Sequence, residues 1–111
     1  MHEAMVFDFE GYIVGVVLDE NGQAWFKAGD VCRLSGFCSK PKKILKWHCN
    51  PDNTKKFEAT DGRERTRIKA YLNLRGTTLL TDMSPNPRAN RLKQWILTGV
   101  MPTLQKRIET S

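Results

Sequence analysis

Four cations alternate along one short segment of the chain, at Arg63, Arg65, Arg67 and Lys69. Successive side chains of a β-strand point to opposite faces, so a strand here would carry all four on one face. Arginine binds phosphate through two hydrogen bonds and can enter a DNA groove. The alternative is a solvated strand face, because an alternating cationic edge also protects a sheet against unwanted pairing. We favour contact with phosphates.

Two further basic groups are candidates for the same chemistry. The lysines are Lys40, Lys42, Lys43 and Lys46, and the arginines are Arg88 and Arg91. The lysines fall where a second helix could lie against a duplex, although lysines on a short helix are also ordinary solubility residues. The two arginines turn away from the apolar side of a later helix and fit a surface role as well as a DNA contact.

Zinc is a second chemistry to consider, because Cys32, Cys38, Cys49 and His48 carry its preferred ligand atoms. No two of these cysteines have the Cys-x-x-Cys spacing of a zinc knuckle. Three cysteines are also an odd number, which does not suit a disulfide framework. We therefore expect buried thiols, a half-buried His48, and neither metal nor cofactor.

Catalysis has less support. Asp30 and His48 are the one polar pair that suggests it, yet Asp30 lies at a helix start, where a carboxylate favours the free N–H groups. The sequence has no glycine-rich phosphate loop, nucleophile motif or paired carboxylates. Phe37 and Tyr71, near basic residues, are candidates for base stacking, whereas the other large aromatic residues fit a core. The sequence predicts a protein that is not an enzyme.

Charge is divided unevenly along the 111 residues, whose net charge is +6. Residues 1–39 hold two basic and six acidic residues, a net −4, and residues 40–111 hold sixteen and six, a net +10. A basic balance of this size favours a polyanion partner. The length predicts one domain over residues 1–111. No apolar run could span a bilayer and no secretory signal is evident, so we expect an intracellular protein without a membrane partner.

The elements that must position these residues begin with an acidic antiparallel sheet. β-Branched and aromatic residues predict strands over 5–9 and 12–18, and the Asn21-Gly22 turn leads to a return strand over 23–26. Helical spacing over 28–35 ends at Gly36, and a second helix over 39–48 would begin with Ser39 and Pro41. These two helices form a helix-turn-helix candidate over 28–49.

The second half begins with a hairpin of strands 55–60 and 63–71 across Asp61-Gly62. Residues 74–83 fit a strand or an irregular helix, because Gly76 and two threonines weaken a helix prediction. Asn86-Pro87 opens a clear helix that Gly99 should end. A further short helix begins at Met101-Pro102.

Two ordered blocks of sequence resemble the Bro-N domain, the N-terminal domain of the BRO proteins of large DNA viruses and of prophage antirepressors. The first block is Trp25-Phe26-Lys27-Ala28-Gly29-Asp30-Val31-Cys32, then Leu34, Gly36-Phe37, Pro41-Lys42-Lys43-Ile44 and His48. The second comprises Gly76, Leu80, Ser84, Pro87, Ala89, Lys93, Trp95-Ile96, Met101-Pro102 and Leu104. Here Leu74-Arg75-Gly76-Thr77-Thr78 replaces the family's Glu-x-Gly-Leu-Tyr, and Leu34-Ser35-Gly36 replaces its Leu-Gly.

The resemblance implies an α+β domain in which small antiparallel sheets and hairpins pack with short helices. It also implies DNA binding within a viral or prophage regulator of the BRO or antirepressor type. The expected partner is DNA, double-stranded rather than single-stranded, contacted mainly through the phosphate backbone. Such domains are commonly attached to a variable C-terminal effector domain, and none is expected within this chain.

An alternative remains open at the level of sequence. An antirepressor acts by binding a repressor, so the chain could instead be a protein-interaction module for a repressor or another acidic protein. A homodimer fits either function. The expected location is the bacterial cytoplasm for a phage protein, or the host nucleus or cytoplasm for a protein of a eukaryotic virus.

Overall fold

A computed structural model of the chain describes residues 2–3, 5–36, 51–60 and 66–110. The described strands are β1 (His2–Glu3), β2 (Met5–Phe9), β3 (Tyr12–Leu18), β4 (Ala24–Lys27), β5 (Thr54–Thr60) and β6 (Thr66–Asn73). The described helices are α1 (Ala28–Leu34), α2 (Leu74–Met83), α3 (Pro87–Trp95) and α4 (Met101–Thr110). The strands form one sheet in the order β1-β5-β6-β4-β3-β2, antiparallel except where β1 pairs with β5. The expected α+β fold is confirmed.

The sheet is strongly curled. Its two edge strands, β1 and β2, are separated in sequence by Ala4 alone. In a flat six-stranded sheet these edges would lie roughly 24 Å apart, whereas two Cα–Cα steps span at most about 7.6 Å. The sheet must therefore bend until its edges meet, as in a barrel.

An aromatic contact across the sheet is further evidence of the curl. Trp25 on β4 pairs with Asn73 of β6, whereas Phe57 on β5 pairs with Lys69 of β6. Their Cα atoms would be roughly 16 Å apart in a flat sheet. The two ring centroids are nevertheless 5.4 Å apart. The face that carries these rings is thus the concave face, and the opposite one is the convex face.

Each face of the sheet has its own core. On the concave face Val17, Trp25, Phe57 and Tyr71 form one buried cluster. On the convex face the four helices cover the sheet, and their shared core is larger. It contains Phe9, Val14, Val16, Ala24, Phe26 and Leu72 of the sheet with Val31, Leu34, Leu80, Leu92, Ile96, Val100 and Leu104 of the helical layer.

The front of the fold follows the sequence prediction closely. Residues 5–9 and 12–18 form β2 and β3, and Asn21-Gly22 lies in the turn that leads to β4. Glu10 and Gly11 between β2 and β3 have φ angles of 51° and 85°, as a tight two-residue hairpin turn requires. α1 starts directly after β4 and is followed by Gly36 at φ 79°, which confirms its predicted stop. The second helix of the helix-turn-helix candidate lies outside the described residues.

The β5–β6 hairpin is present with a register that differs from the predicted one. A two-residue loop at Asp61-Gly62 would pair Thr60 with Arg63, but Thr60 pairs with Thr66. The described strands also begin and end slightly differently, at Thr54–Thr60 and Thr66–Asn73. The observed register places Phe57 and Tyr71 together in the concave cluster, a packing that the loop sequence does not reveal.

Residues 74–83, for which the sequence left a strand or an irregular helix open, form the regular helix α2. The side chain of Asn73 accepts a hydrogen bond from the Gly76 N–H and caps the helix start. Thr77 and Thr81 are buried on the side that packs inward. Tertiary packing and the cap thus outweigh the weak helix propensity of glycine and threonine.

The expected helix end at Gly99 is wrong. After α3 the chain continues through one π-helical turn, Ile96–Val100, directly into α4. The N–H of Met101 bonds to the carbonyl of Ile96, five residues earlier. Pro102 follows at once, and a proline ring clashes with the carbonyl four residues before it in a regular α-helix. A wider turn at this point relieves that clash, so the helical chain continues past Gly99 with a locally changed hydrogen-bond pattern.

None of the helices among the described residues is long and apolar enough to cross a membrane.

Gly76 provides a test of the packing of α2. A Cβ at this position would lie 3.0 Å from Cβ and 3.2 Å from the carbonyl oxygen of Asn53. We expect Gly76→Ala to lower the free energy of unfolding by about 1–2 kcal/mol through overpacking, although alanine favours a helix. The matched control is Gly29→Ala in α1, where a Cβ meets nothing within 4 Å and stability should rise by about 0.5–1 kcal/mol. Urea unfolding measures both variants, and equal stabilisation by both would contradict this reading.

Asp19 provides a test of the β3–β4 turn. Its carboxylate accepts hydrogen bonds from the N–H groups of Asn21 and Gln23 and from Nε1 of Trp25. Burial raises its pKa, but these bonds and the charge of Lys55 together hold the pKa below its ordinary value. A lowered pKa in the folded state adds stability above the unfolded pKa, about 3.9, and this stability is lost as pH falls through the folded pKa. Asp19→Asn should remove that part of the acid dependence of the unfolding midpoint, whereas Glu20→Gln should retain it.

Candidate nucleic-acid interface

The candidate cations divide into those within and those outside the described residues. The ones outside are Lys40, Lys42, Lys43, Lys46, Arg63 and Arg65. Arg67 and Lys69 occupy positions on β6, opposite Ala59 and Phe57 of β5. Arg88 and Arg91 lie on α3. The alternation of four cations on one strand face therefore stays a prediction for its first three members.

Lys69 lies on the concave face of β6. Its direct partner across the hairpin is Phe57, and Tyr71 lies two residues farther along the same strand. Phe57 and Tyr71 are buried, with ring centroids 5.6 Å apart, while Lys69 is exposed. The aromatic cluster thus anchors the strand and leaves the lysine in solvent, where it can meet an anion.

Lys55 is a second cation on this face, and the sequence argument missed it. It pairs with Tyr71, and its Nζ lies 5.2 Å from the centroid of the Phe57 ring. Lys55 and Lys69 therefore flank the same ring from neighbouring strands. The strand register is the signal that could have found it, because residues directly opposite each other share a face.

Arg88 is committed to contacts within the protein. Its Nε donates to the carbonyl of Leu34 at 2.7 Å, and its Nη2 donates to the carbonyl of Arg33 at 3.1 Å. Its Cζ lies 5.2 Å from the centroid of the Tyr12 ring. The side chain of Arg88 thus joins α3 to the end of α1 and to β3.

Arg91, one turn farther along α3, forms an ion pair with Glu10 in the β2–β3 turn. The distance from its Nη2 to Oε1 is 3.1 Å, and both side chains are largely exposed. An exposed pair of this kind contributes little to stability. It does place a carboxylate next to this arginine, which weakens any attraction for phosphate.

Asp30, the residue that suggested catalysis, has structural partners. Its Oδ2 accepts a hydrogen bond from the Gly15 N–H of β3 at 2.9 Å. Gly15 directly precedes Val16, where the pairing of β3 with β4 stops. Its Oδ1 pairs with Arg33 at 3.4 Å. Burial, and then the charge of Asp30, raise the pKa of the Tyr71 phenol above its ordinary value. His48, the other half of the suggested pair, lies outside the described residues.

The metal and stacking candidates meet different outcomes. Cys32 is buried in α1, and Cys38, Cys49 and His48 lie outside the described residues. Within the described ranges, no group of three or more His, Cys, Asp or Glu residues could hold a metal ion. Tyr71 is 3% exposed, so its ring belongs to the concave cluster and is not available to stack on a base. Phe37 falls outside the described part of the chain.

Comparison with known proteins identifies relatives of this chain. Residues 13–102 match the sequence profile of Bro-N, the N-terminal domain of the BRO family. An uncharacterized protein of Haemophilus influenzae (strain ATCC 51907 / DSM 11121 / KW20 / Rd) is 29% identical over 101 residues, which is 90% of this chain and 49% of that protein. The chain thus spans about half the length of the curated relative it matches. No solved structure matches the chain significantly.

The Bro-N match covers the first ordered block and the second as far as Pro102, so that only Leu104 lies beyond it. It begins within β3 and ends at the start of α4, so it includes the concave cluster, Lys69 and the helices α1, α2 and α3. The family is associated with DNA-binding regulators and is not a family of enzymes. The chain therefore belongs to the Bro-N family, the N-terminal domain of the BRO family.

Proposed function

We propose that this protein is a DNA-binding domain of a viral or prophage regulator of the BRO or antirepressor type. The observation that carries the proposal is the Bro-N match over residues 13–102. The excess of sixteen basic over six acidic residues in the segment 40–111 supports it, because each phosphate contact releases counterions. Duplex DNA is the expected ligand.

The β5–β6 hairpin is the proposed contact surface among the described elements. Lys69 is exposed, Lys55 lies on the same face, and Arg67 precedes Lys69 by two residues on β6. The lysines at 40, 42, 43 and 46 and the arginines at 63 and 65 are further proposed DNA contacts, and they lie outside the described residues. Arg88 and Arg91 are set apart because their guanidinium groups already bind carbonyl or carboxylate oxygens.

The strand arrangement favours contact with the phosphate backbone over insertion into a groove. β1 pairs with β5 at Ala59 and Thr60, so three strands lie side by side near the hairpin tip. Their outer backbones are roughly 10 Å apart before side chains are added. A major groove about 12 Å wide admits two strands and leaves little room for a third. This geometry supports the proposal of sequence-tolerant or modestly specific binding.

A second candidate function is capture of a protein such as a repressor. The favouring observation is an exposed apolar pair one turn apart on α2, with Leu79 47% and Met83 45% exposed. Exposed apolar residues that adjoin one another mark protein contact sites more often than single ones do. These residues lie on α2 and not on the β5–β6 hairpin, so DNA binding and partner capture would use different residues.

Salt-titrated binding separates the two functions. We expect duplex binding at low salt that weakens steeply as salt rises, by about 0.9 log units per log unit of salt for each phosphate contacted. Fluorescence anisotropy with matched duplex and single-stranded oligonucleotides measures this slope. Absence of duplex binding at low salt, together with stoichiometric, salt-insensitive capture of a repressor, would replace the DNA-binding proposal with the second one. Sedimentation of the same samples gives the oligomeric state.

Replacement of Lys69 tests the hairpin surface. Because this side chain is exposed, Lys69→Ala should leave the unfolding midpoint unchanged. It should weaken binding to all duplex sequences alike and reduce the salt slope by about 0.9. Lys93→Ala is the matched control, since Lys93 pairs with Asp82 on the helical layer and should not contact DNA. Equal losses of affinity in the two variants would show that the hairpin is not the contact surface.

A further inference from the structure

The C-terminal end of α1 is bound by side chains from one short segment before and within α3. The hydroxyl of Ser84 donates to the carbonyl of Ser35, and the Ser84 oxygen also accepts a hydrogen bond from the Asn86 N–H. Arg88 donates to the carbonyls of Leu34 and Arg33. The carbonyl of Arg33 also accepts a hydrogen bond from the Gly36 N–H at 3.2 Å. Last-turn carbonyls lack a partner in the regular pattern of their own helix, so the bonds from Ser84 and Arg88 satisfy the carbonyls of Ser35 and Leu34.

Three properties of Arg88 suit this position. Its positive charge lies at the negative end of the α1 dipole, where a cation is stabilising. Its planar fork reaches two successive carbonyls, which a single ammonium group cannot match. Its Cζ lies 5.2 Å from the centroid of the Tyr12 ring of β3, and its Nη1 donates to the Tyr12 hydroxyl at 3.5 Å. One side chain thus ties together α1, α3 and β3.

Gly36 shows how closely the segments approach. A Cβ added there would lie 2.6 Å from Nδ2 of Asn86, and the residue has φ 79°. Asn86 is in turn held by its own cap, accepting a hydrogen bond from the Arg88 N–H at 2.9 Å. The end of α1 and the start of α3 therefore form one fixed junction.

We propose that Arg88 is a positioning residue that fixes the end of α1 against α3 and β3, and that it does not offer its charge to DNA. The DNA-binding part of this inference rests on the proposed function. Loss of the junction should reduce DNA affinity by shifting α1, which runs directly from β4 beside Tyr71 and the hairpin. If Arg88 instead contacted a phosphate directly, its removal would also abolish the counterion release of that contact and so reduce the salt slope.

The test uses Arg88→Lys and Arg88→Ala, with Arg91→Lys and Arg91→Ala as matched controls three residues away on the same helix. Hydrogen exchange is the first measurement. Amides of residues 31–36 should exchange at least tenfold faster in both Arg88 variants, while those of β5 and β6 stay protected. Both Arg91 variants should match the unmodified protein. Unchanged exchange at residues 31–36 would overturn the positioning role, and uniform acceleration throughout the chain would replace it with general destabilisation.

DNA binding is the second measurement. A positioning residue predicts at least fivefold weaker duplex binding by Arg88→Lys, with a salt slope equal to that of the unmodified protein. A direct phosphate contact predicts near-normal binding by Arg88→Lys and a slope reduced by about 0.9 in Arg88→Ala, and this result would overturn the inference. If the unmodified protein binds no duplex, the proposed function fails, and exchange at residues 31–36 still decides whether Arg88 fixes the junction.

Discussion

The fold depends on one covalent constraint. A single residue, Ala4, joins β1 and β2, which are the two edge strands of the sheet. Because β1 and β2 cannot separate, the sheet must curl, and the curl makes its two faces unequal. The concave face has room for a few large side chains, and Trp25, Phe57 and Tyr71 fill it. The convex face offers the larger area, and the helices pack there. The placement of Lys55 and Lys69 follows from the face to which their strand positions point.

A second constraint arises where β4 stops. The strand ends at Lys27 and the chain turns at once into α1, so β3 loses its neighbour beyond Val16. The side chain of Asp30 takes the place of the missing strand partner by accepting a hydrogen bond from the Gly15 N–H. A residue in the first turn of the helix therefore completes the sheet. Since the other end of α1 is bound by Arg88, the helix is fixed at both ends by side chains far apart in sequence.

Local patterns predicted much of this structure, and nonlocal contacts explain what was missed. β2, β3, β4 and α1 follow from alternation, turn residues and a glycine stop, all of which act within a few residues. The curl requires β1 to pair with β5, more than fifty positions away, and no short pattern records that pairing. α2 was left open because its cap and buried threonines act through tertiary contacts. The continuation past Gly99 was missed because a wide turn accommodates Pro102. In the candidate site, alternation predicted Lys69, whereas Lys55 and the partners of Arg88 depend on register and packing.

Net charge is therefore an incomplete guide to where DNA would bind. Cations count toward phosphate affinity only when their charge is exposed and not already neutralised by a neighbour. Among the described residues, Arg91 and Lys93 pair with carboxylates, and Arg88 faces carbonyls at a helix end. These contacts withdraw three cations of the helical layer from a duplex, although Arg75 stays exposed on α2, whereas Lys55 and Lys69 are exposed together on the β5–β6 hairpin. The distribution of exposed charge, more than its total, is therefore what supports the proposed hairpin surface.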